Sequence, residues 1–362
     1  KMRGRRLRLL TAASCWSRAE TGIPIRERRY WPIPKFAEPS SVGSDMTDIL
    51  NALALLGNFV IVPGLAYGSQ LALGALGVTM VYAVLRFSNF AHGETMSVGA
   101  MITILVTWWL QGKGVSLGAL PTALLALPIG IIGTILICLL FDRFVYRYYR
   151  GQRAAPVTYL ILSVGILFIL SGLVRFVIGP QDRIFADGER FIMKARAFKE
   201  VTGLDQGLAI KTTQGVTVVT AVIVVALIFW FLNRTRTGKS MRAYSDNEDL
   251  ALLSGISPAK VVAITWIITG TLAAVAGTLY GLDKGYKPFT YLGLVLPIFA
   301  AAIVGGVGNP LGAISGGFVI AFSELLLTFA YKRVIAYLTP GDWVPEGLVQ
   351  LLATDYKLAV SF

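Results

Sequence analysis

Seven stretches of the chain, residues 49–85, 95–112, 114–141, 154–174, 212–233, 261–282 and 288–323, contain no Asp, Glu, Lys or Arg. A helix needs about 20 apolar residues to cross the hydrocarbon core of a bilayer. These runs are continuously apolar rather than alternating with a period of two, which favours helices over barrel strands. Two of them are too long for one crossing. At 1.5 Å per residue, 288–323 would extend roughly 54 Å, nearly twice the core thickness. "GGVGNPLG" (305–312) supplies a break, since Gly and Pro punctuate helices. The run 49–85 poses the same problem, and Pro63-Gly64 is the expected break there. The pattern predicts an all-α fold, a polytopic membrane helix bundle of about eight membrane segments. The final apolar run, "YKLAVSF" (356–362), reads as the opening of a last span that is cut off.

The loops between these runs carry the orientation. "DRFVYRYYRGQR" (142–153) holds four arginines and one acid, and the connection 233–260 is basic at its start, so both are expected on the cytoplasmic side. Two spans separate them, which agrees. The connection 179–211, with six basic and five acidic residues, is then external. Residues 1–45 carry ten Lys/Arg against four Asp/Glu, which conflicts with an external N-terminus. A start at Met46 removes the conflict and makes 1–45 a basic N-terminal extension outside the fold, with 46–362 as the membrane domain. The alternative is a cytoplasmic tail followed by an extra span at 49–66.

Composition agrees with a membrane class: 15% charged residues and a mean hydropathy of +0.67, against about 25% charged in soluble domains. The net charge of +13 sits in loops and the N-terminal segment, so it reports topology rather than nucleic-acid binding. Cys15 and Cys138 imply neither a disulfide framework nor a metal site. His92 is the only histidine. No HExxH site can therefore form, and an intramembrane hydrolase lacks its usual dyads. "NRTRTGKS" (233–240) matches the end of a phosphate loop, but Asn233 stands where the first glycine belongs and a membrane span precedes it instead of a strand. No cofactor is expected on this chain. Small residues at four-residue intervals, Gly64/Gly68, Gly277/Gly281/Gly285 and Gly308/Gly312/Gly316, predict close helix packing.

The connection 233–260 is the most informative loop. "SDNE" (245–248) fits a capping box with Ser245 as N-cap and Glu248 reaching back. Gly255 suits a helix C-terminus, and "SP" (257–258) starts the next helix. A helix of about two turns over 246–254 follows. It carries Leu250, Leu252 and Leu253 beside Asp246 and Asp249. Such a helix can insert into a partner's groove or pack on its own bundle, and the pattern leaves both open.

"NFAHGE" (89–94) places Asn89, His92 and Glu94 between two charge-free runs. Polar groups inside a membrane are costly and mark functional candidates. If the helix breaks here inside the membrane, its positive N-terminal end points into a cavity, as in transporters built on discontinuous helices, and Glu94 can attract an ammonium group. A tight turn in the headgroup region is the competing reading.

Four segments, "GVTMVYAVLRFSNFAHGE" (77–94), "MRAYSDNEDLALLSGIS" (241–257), "TLAAVAGTLYG" (271–281) and "AAIVGGVGNPLGAISGG" (301–317), resemble in order the signatures of the branched-chain amino acid ABC transporter permeases, specifically the H-type subunit. The resemblance covers about residues 64 to 362. Against the coupling pattern E-A-A-x-x-x-G of ABC permeases, Asp249, Ala251 and Gly255 fall at the E, second A and G. Leu250 replaces the first Ala, and the downstream I-x-L-P is missing. Only the role of the loop therefore carries over. The resemblance implies a second permease subunit, two cytoplasmic ATPase subunits that bind the ATP, and a periplasmic substrate-binding protein. It also implies a location in the bacterial inner membrane and import of branched-chain or related small amino acids. The coupling candidates are then Asp246, Asp249, Leu250, Leu252, Leu253 and Gly255, and the translocation-path candidates Asn89, His92 and Glu94. A urea or amide ABC permease, or a stand-alone secondary transporter or channel, is the alternative.

Overall fold

The computed structural model describes residues 45–338, 347, 349–353 and 359–361. In chain order the helices are α1 (Asp45–Leu56), α2 (Val62–Leu85), α3 (His92–Gly112), α4 (Ala123–Phe141), α5 (Arg147–Gly151), α6 (Pro156–Ile178) and α7 (Ala195–Thr202). They continue with α8 (Thr212–Arg234), α9 (Arg236–Asp246), α10 (Glu248–Leu253), α11 (Pro258–Lys284), α12 (Thr290–Val304), α13 (Pro310–Thr328) and α14 (Lys332–Leu338). Two short strands, β1 (Phe191–Met193) and β2 (Ile210–Lys211), pair antiparallel. Among the described residues, seven helical stretches are long and apolar enough to cross a membrane, and α12 is a shorter apolar helix.

The expected break at Pro63-Gly64 does not occur. Met46–Leu85 is one helical stretch of 40 residues, roughly 60 Å at 1.5 Å per residue. Pro63 lacks the amide that would continue the ladder, and a π-helical turn over Gly57–Ile61 absorbs the mismatch. There the Val62 amide donates to the Gly57 carbonyl, five residues back. No second span at 49–66 exists. α1 instead packs on α14 through Ala52, Leu55 and Val334, while Asn51 Oδ1 accepts from the Gln206 amide and Asn58 Oδ1 from the Ala209 amide, each at 3.1 Å. The break after Val304 does occur: Gly306 and Gly308 both take φ +90°, a region that favours glycine, and the Asn309 side chain caps α13.

α2, α3 and α11 form the interior, with α4, α12 and α13 packed on them. Their approach depends on small residues. A Cβ on Gly99 would lie 2.5 Å from the Ala274 Cα, and one on Gly277 would fall on the Met96 carbonyl oxygen. Gly64 and Gly68 receive Phe322 and Phe318 of α13. The expected packing stripes need one correction, because Gly285 (φ +80°) and Gly308 are turn residues instead.

The two ends of the bundle differ. At the basic end, Arg150 pairs with Asp142 at 2.7 Å, and the Trp266 indole donates to the same carboxylate at 2.8 Å. Rings of Phe87, Tyr146, Tyr159 and Trp266 stack there. At the opposite end lies the connection 179–211, joined to the α11–α12 turn by reciprocal 2.8 Å bonds between the Arg183 and Tyr286 backbones. The extension 1–45 lies outside the described residues, apart from Asp45, as does most of 356–362.

Candidate functional site

The loop 233–260 is almost entirely helical. Thr235 caps α9 by accepting from the Gly238 amide at 3.0 Å, so "NRTRTGKS" is a helix junction following a membrane span. The expected capping box at Ser245 is displaced by two residues. Asn247 is the N-cap of α10, its Oδ1 accepting from the Leu250 amide at 3.0 Å, while Ser245 and Asp246 close α9. The Ser245 hydroxyl is engaged elsewhere, by the Ala83 carbonyl, and the extended backbone of Asn247 (φ −152°, ψ 109°) bends the chain between the two helices. Gly255 ends the turn after α10 with φ +79°, as its position suggested.

α10 rests on the bundle through Ala251, which is buried. Its leucines point away: Leu250 is 62%, Leu252 42% and Leu253 85% exposed. Asp246 and Asp249 are also exposed beside them. The Tyr244 hydroxyl donates to Glu248 Oε1 and ties α9 to α10. Burial and this carboxylate push the hydroxyl above its ordinary value, so it stays a donor.

Sequence reasoning missed what holds this face in place. Arg86, in the left-handed region at φ 58°, ends α2, and its guanidinium donates to the Ser245 carbonyl. The Ser245 hydroxyl donates back to the Ala83 carbonyl at 2.9 Å. The exposed leucines are thus tied to the residue that immediately precedes "FSNFAHGE". No spacing rule links positions 159 residues apart. The unexplained charge at Arg86 was the only signal.

From Arg86 the chain turns back into the bundle. Asn89 Oδ1 accepts from the Ala91 amide at 3.1 Å, and the Phe90 amide donates to Ser163 Oγ at 3.2 Å. α3 then starts at His92, whose ring lies against Gly77: a Cβ there would meet His92 Cε1 at 2.5 Å. Gly77 lies eight residues before the end of α2, so the His92 ring sits roughly 12 Å back along that helix. "NFAHGE" is therefore a helix discontinuity buried in protein. Asn89 is 3%, His92 1% and Glu94 0% exposed. Neither the imidazole nitrogens nor the carboxylate oxygens have a hydrogen-bond partner of normal geometry, although the Gly74 backbone acts on the His92 ring and Ser171 and Arg175 of α6 act on the Glu94 carboxyl. One turn further along α3, Ser97 Oγ and the Tyr286 hydroxyl are 3.0 Å apart.

Residues 60–360 match the family described as the branched-chain amino acid transport system permease component. The chain belongs to that family. It is 29% identical to the high-affinity branched-chain amino acid transport system permease protein LivH of Salmonella typhimurium, over 76% of this chain and 88% of that protein. Identity to the corresponding permease protein BraD of Pseudomonas aeruginosa is 32%, over 76% of this chain and 89% of that one. The fructose import permease protein FruG of Bifidobacterium longum is 23% identical over 86% of this chain and 87% of its own. No solved structure matches. The family match includes both the α9–α10 face and the buried start of α3 in this multi-pass membrane protein.

Proposed function

We propose that residues 46–362 form the permease subunit of an ABC importer for branched-chain or related small amino acids in a bacterial inner membrane, with the basic end in the cytoplasm. A second permease subunit of the family completes the pathway, two ATPase subunits bind and hydrolyse the ATP, and a periplasmic binding protein delivers substrate at the opposite end. This chain makes and breaks no covalent bond. The outward row of Leu250, Leu252 and Leu253, on a short capped helix at the basic end, carries the reading. An apolar anchor on a rigid element suits a groove on a soluble partner, whereas a stand-alone transporter or channel has no need of one.

The amino-acid assignment is supported by relatives at 29–32% identity. The fructose permease at 23% shows only that the framework is compatible with other cargo. Purifying the chain from its host under mild detergent tests the proposal. Two ATPase subunits and a second permease should accompany it. Recovery of this chain without any ATPase, under conditions that keep the membrane bundle folded, contradicts it.

A further inference from the structure

Glu94 is sealed in the interior, and its surroundings come from three elements. α3 contributes Glu94 and Ser97, and α6 contributes Ser171 and Arg175 one turn apart. The α11–α12 connection contributes Tyr286, against Ser97, and Phe289, whose ring lies 4.2 Å below the Arg175 guanidinium. Arg175 ends a stretch that is charge-free from 154 to 174. It is only half buried, its Nε has no hydrogen-bond partner, and Phe289 beside it is 58% exposed at the end of the bundle opposite the coupling face. An arginine and a glutamate inside a membrane span are expensive and persist where paired or used. Here the hydrogen-bonding capacity of both is largely unspent.

We infer that Glu94 and Arg175 are the two poles of a subsite for a zwitterionic α-amino acid. The Arg175 fork takes the α-carboxylate, and Glu94 takes the α-ammonium. Guanidinium and carboxylate match in planar, bidentate geometry, and a buried carboxylate short of donors is a receptor for a cation that can supply three. Among the described residues no ion pair joins the two groups, so both are open to a ligand, and Phe289 covers the Arg175 guanidinium. A bound zwitterion brings one charge of each sign, so the net charge of the site is unchanged. The open groove between α2, α8 and α13, lined by Ser69, Ala72, Ala221, Val225, Ile314 and Phe318, has no charged group and cannot select a zwitterion.

This inference rests on the amino-acid reading above. The test measures leucine uptake by the assembled transporter in proteoliposomes for the wild type, Arg175→Gln, Glu94→Gln and the double variant. Ligand contact predicts that each single variant lowers uptake about tenfold or more, with ATPase association unchanged, and that the double variant is no better. If the charges serve only each other, the double variant recovers near-wild-type uptake, and the inference falls. A second measurement needs no variant. Leucine should raise the melting temperature of the wild-type complex purified without its binding protein, since a ligand of the folded state stabilises it. Leucinamide, lacking the carboxylate, and 4-methyl-2-oxopentanoate, lacking the ammonium, should not. Equal shifts from all three, or none from leucine, overturn the site. A wild-type transporter that imports urea or amides but no leucine overturns the amino-acid reading itself.

Discussion

Replacing Leu250 with Asp and Leu253 with Gln should abolish ATPase docking without disturbing the membrane bundle. Leu250 occupies the third position of α10, where an acid is favoured by the helix dipole, and Gln is a good helix former at the last. Both leucines are exposed, at 62% and 85%, so the cost to the isolated chain should be within about 0.5 kcal/mol. In the docked state most of each side chain is covered. Burying a leucine contributes about 1.5–3 kcal/mol, so the pair supplies about 3–6 kcal/mol. That is a hundredfold to about ten-thousandfold in Kd, and the desolvated carboxylate adds to it. The assay is titration of purified ATPase subunits onto the permease in nanodiscs, alongside thermal unfolding of the permease alone. An unchanged Kd refutes the reasoning, and so does a Kd loss matched by an equal loss of permease stability.

Arg86→Ala removes the guanidinium that ties α2 to Ser245. Transport per ATP hydrolysed should fall while both ATPases stay bound, and loss of ATPase binding would assign Arg86 to docking instead. Gly277→Ala drives a methyl into the Met96 carbonyl and should destabilise the bundle by about 1–3 kcal/mol. Gly172→Ala, with nothing within 4 Å of its Cβ, should be neutral or stabilising by up to about 1 kcal/mol; equal melting temperatures for the two would show that the α3–α11 approach is looser than described. For Asp187, burial favours the neutral acid, but hydrogen bonds from Thr122 (2.7 Å) and Gln111 (2.9 Å) outweigh it and hold its pKa below the ordinary carboxylate value. Its contribution is therefore present above that value, about pH 4, and is lost as the pH falls through the depressed one. Asp187→Asn should flatten the acid limb of the stability–pH profile, and an unchanged limb would exclude this contribution.

The membrane class was legible because it rests on composition alone: uncharged runs of the necessary length leave no other solvent for the chain. The turn at 305–309 was legible for a similar reason, since Gly306, Gly308 and Pro310 act locally. Pro63 misled because a local rule met a tolerant context. One missing amide can be absorbed by a π-helical turn when helices on either side hold the axis. At 245–248 two caps competed within three residues, and the choice of Asn247 over Ser245 depends on the Ser245 hydroxyl being engaged by Ala83, which no local pattern reveals. Glu94 stood out by its type amid apolar neighbours. Arg175 did not, because an arginine at the end of an apolar run looks like an interfacial anchor until the fold places α6 beside α3.

The central claim, that ATP hydrolysis on separate subunits drives cargo through this chain, is tested most directly by leucine uptake into proteoliposomes holding the purified transporter, its binding protein and internal ATP. Uptake should require ATP and the binding protein, and should disappear when Leu250→Asp/Leu253→Gln permease replaces the wild type. Leucine accumulation by the permease alone under an ion gradient, with no ATPase present, would contradict it.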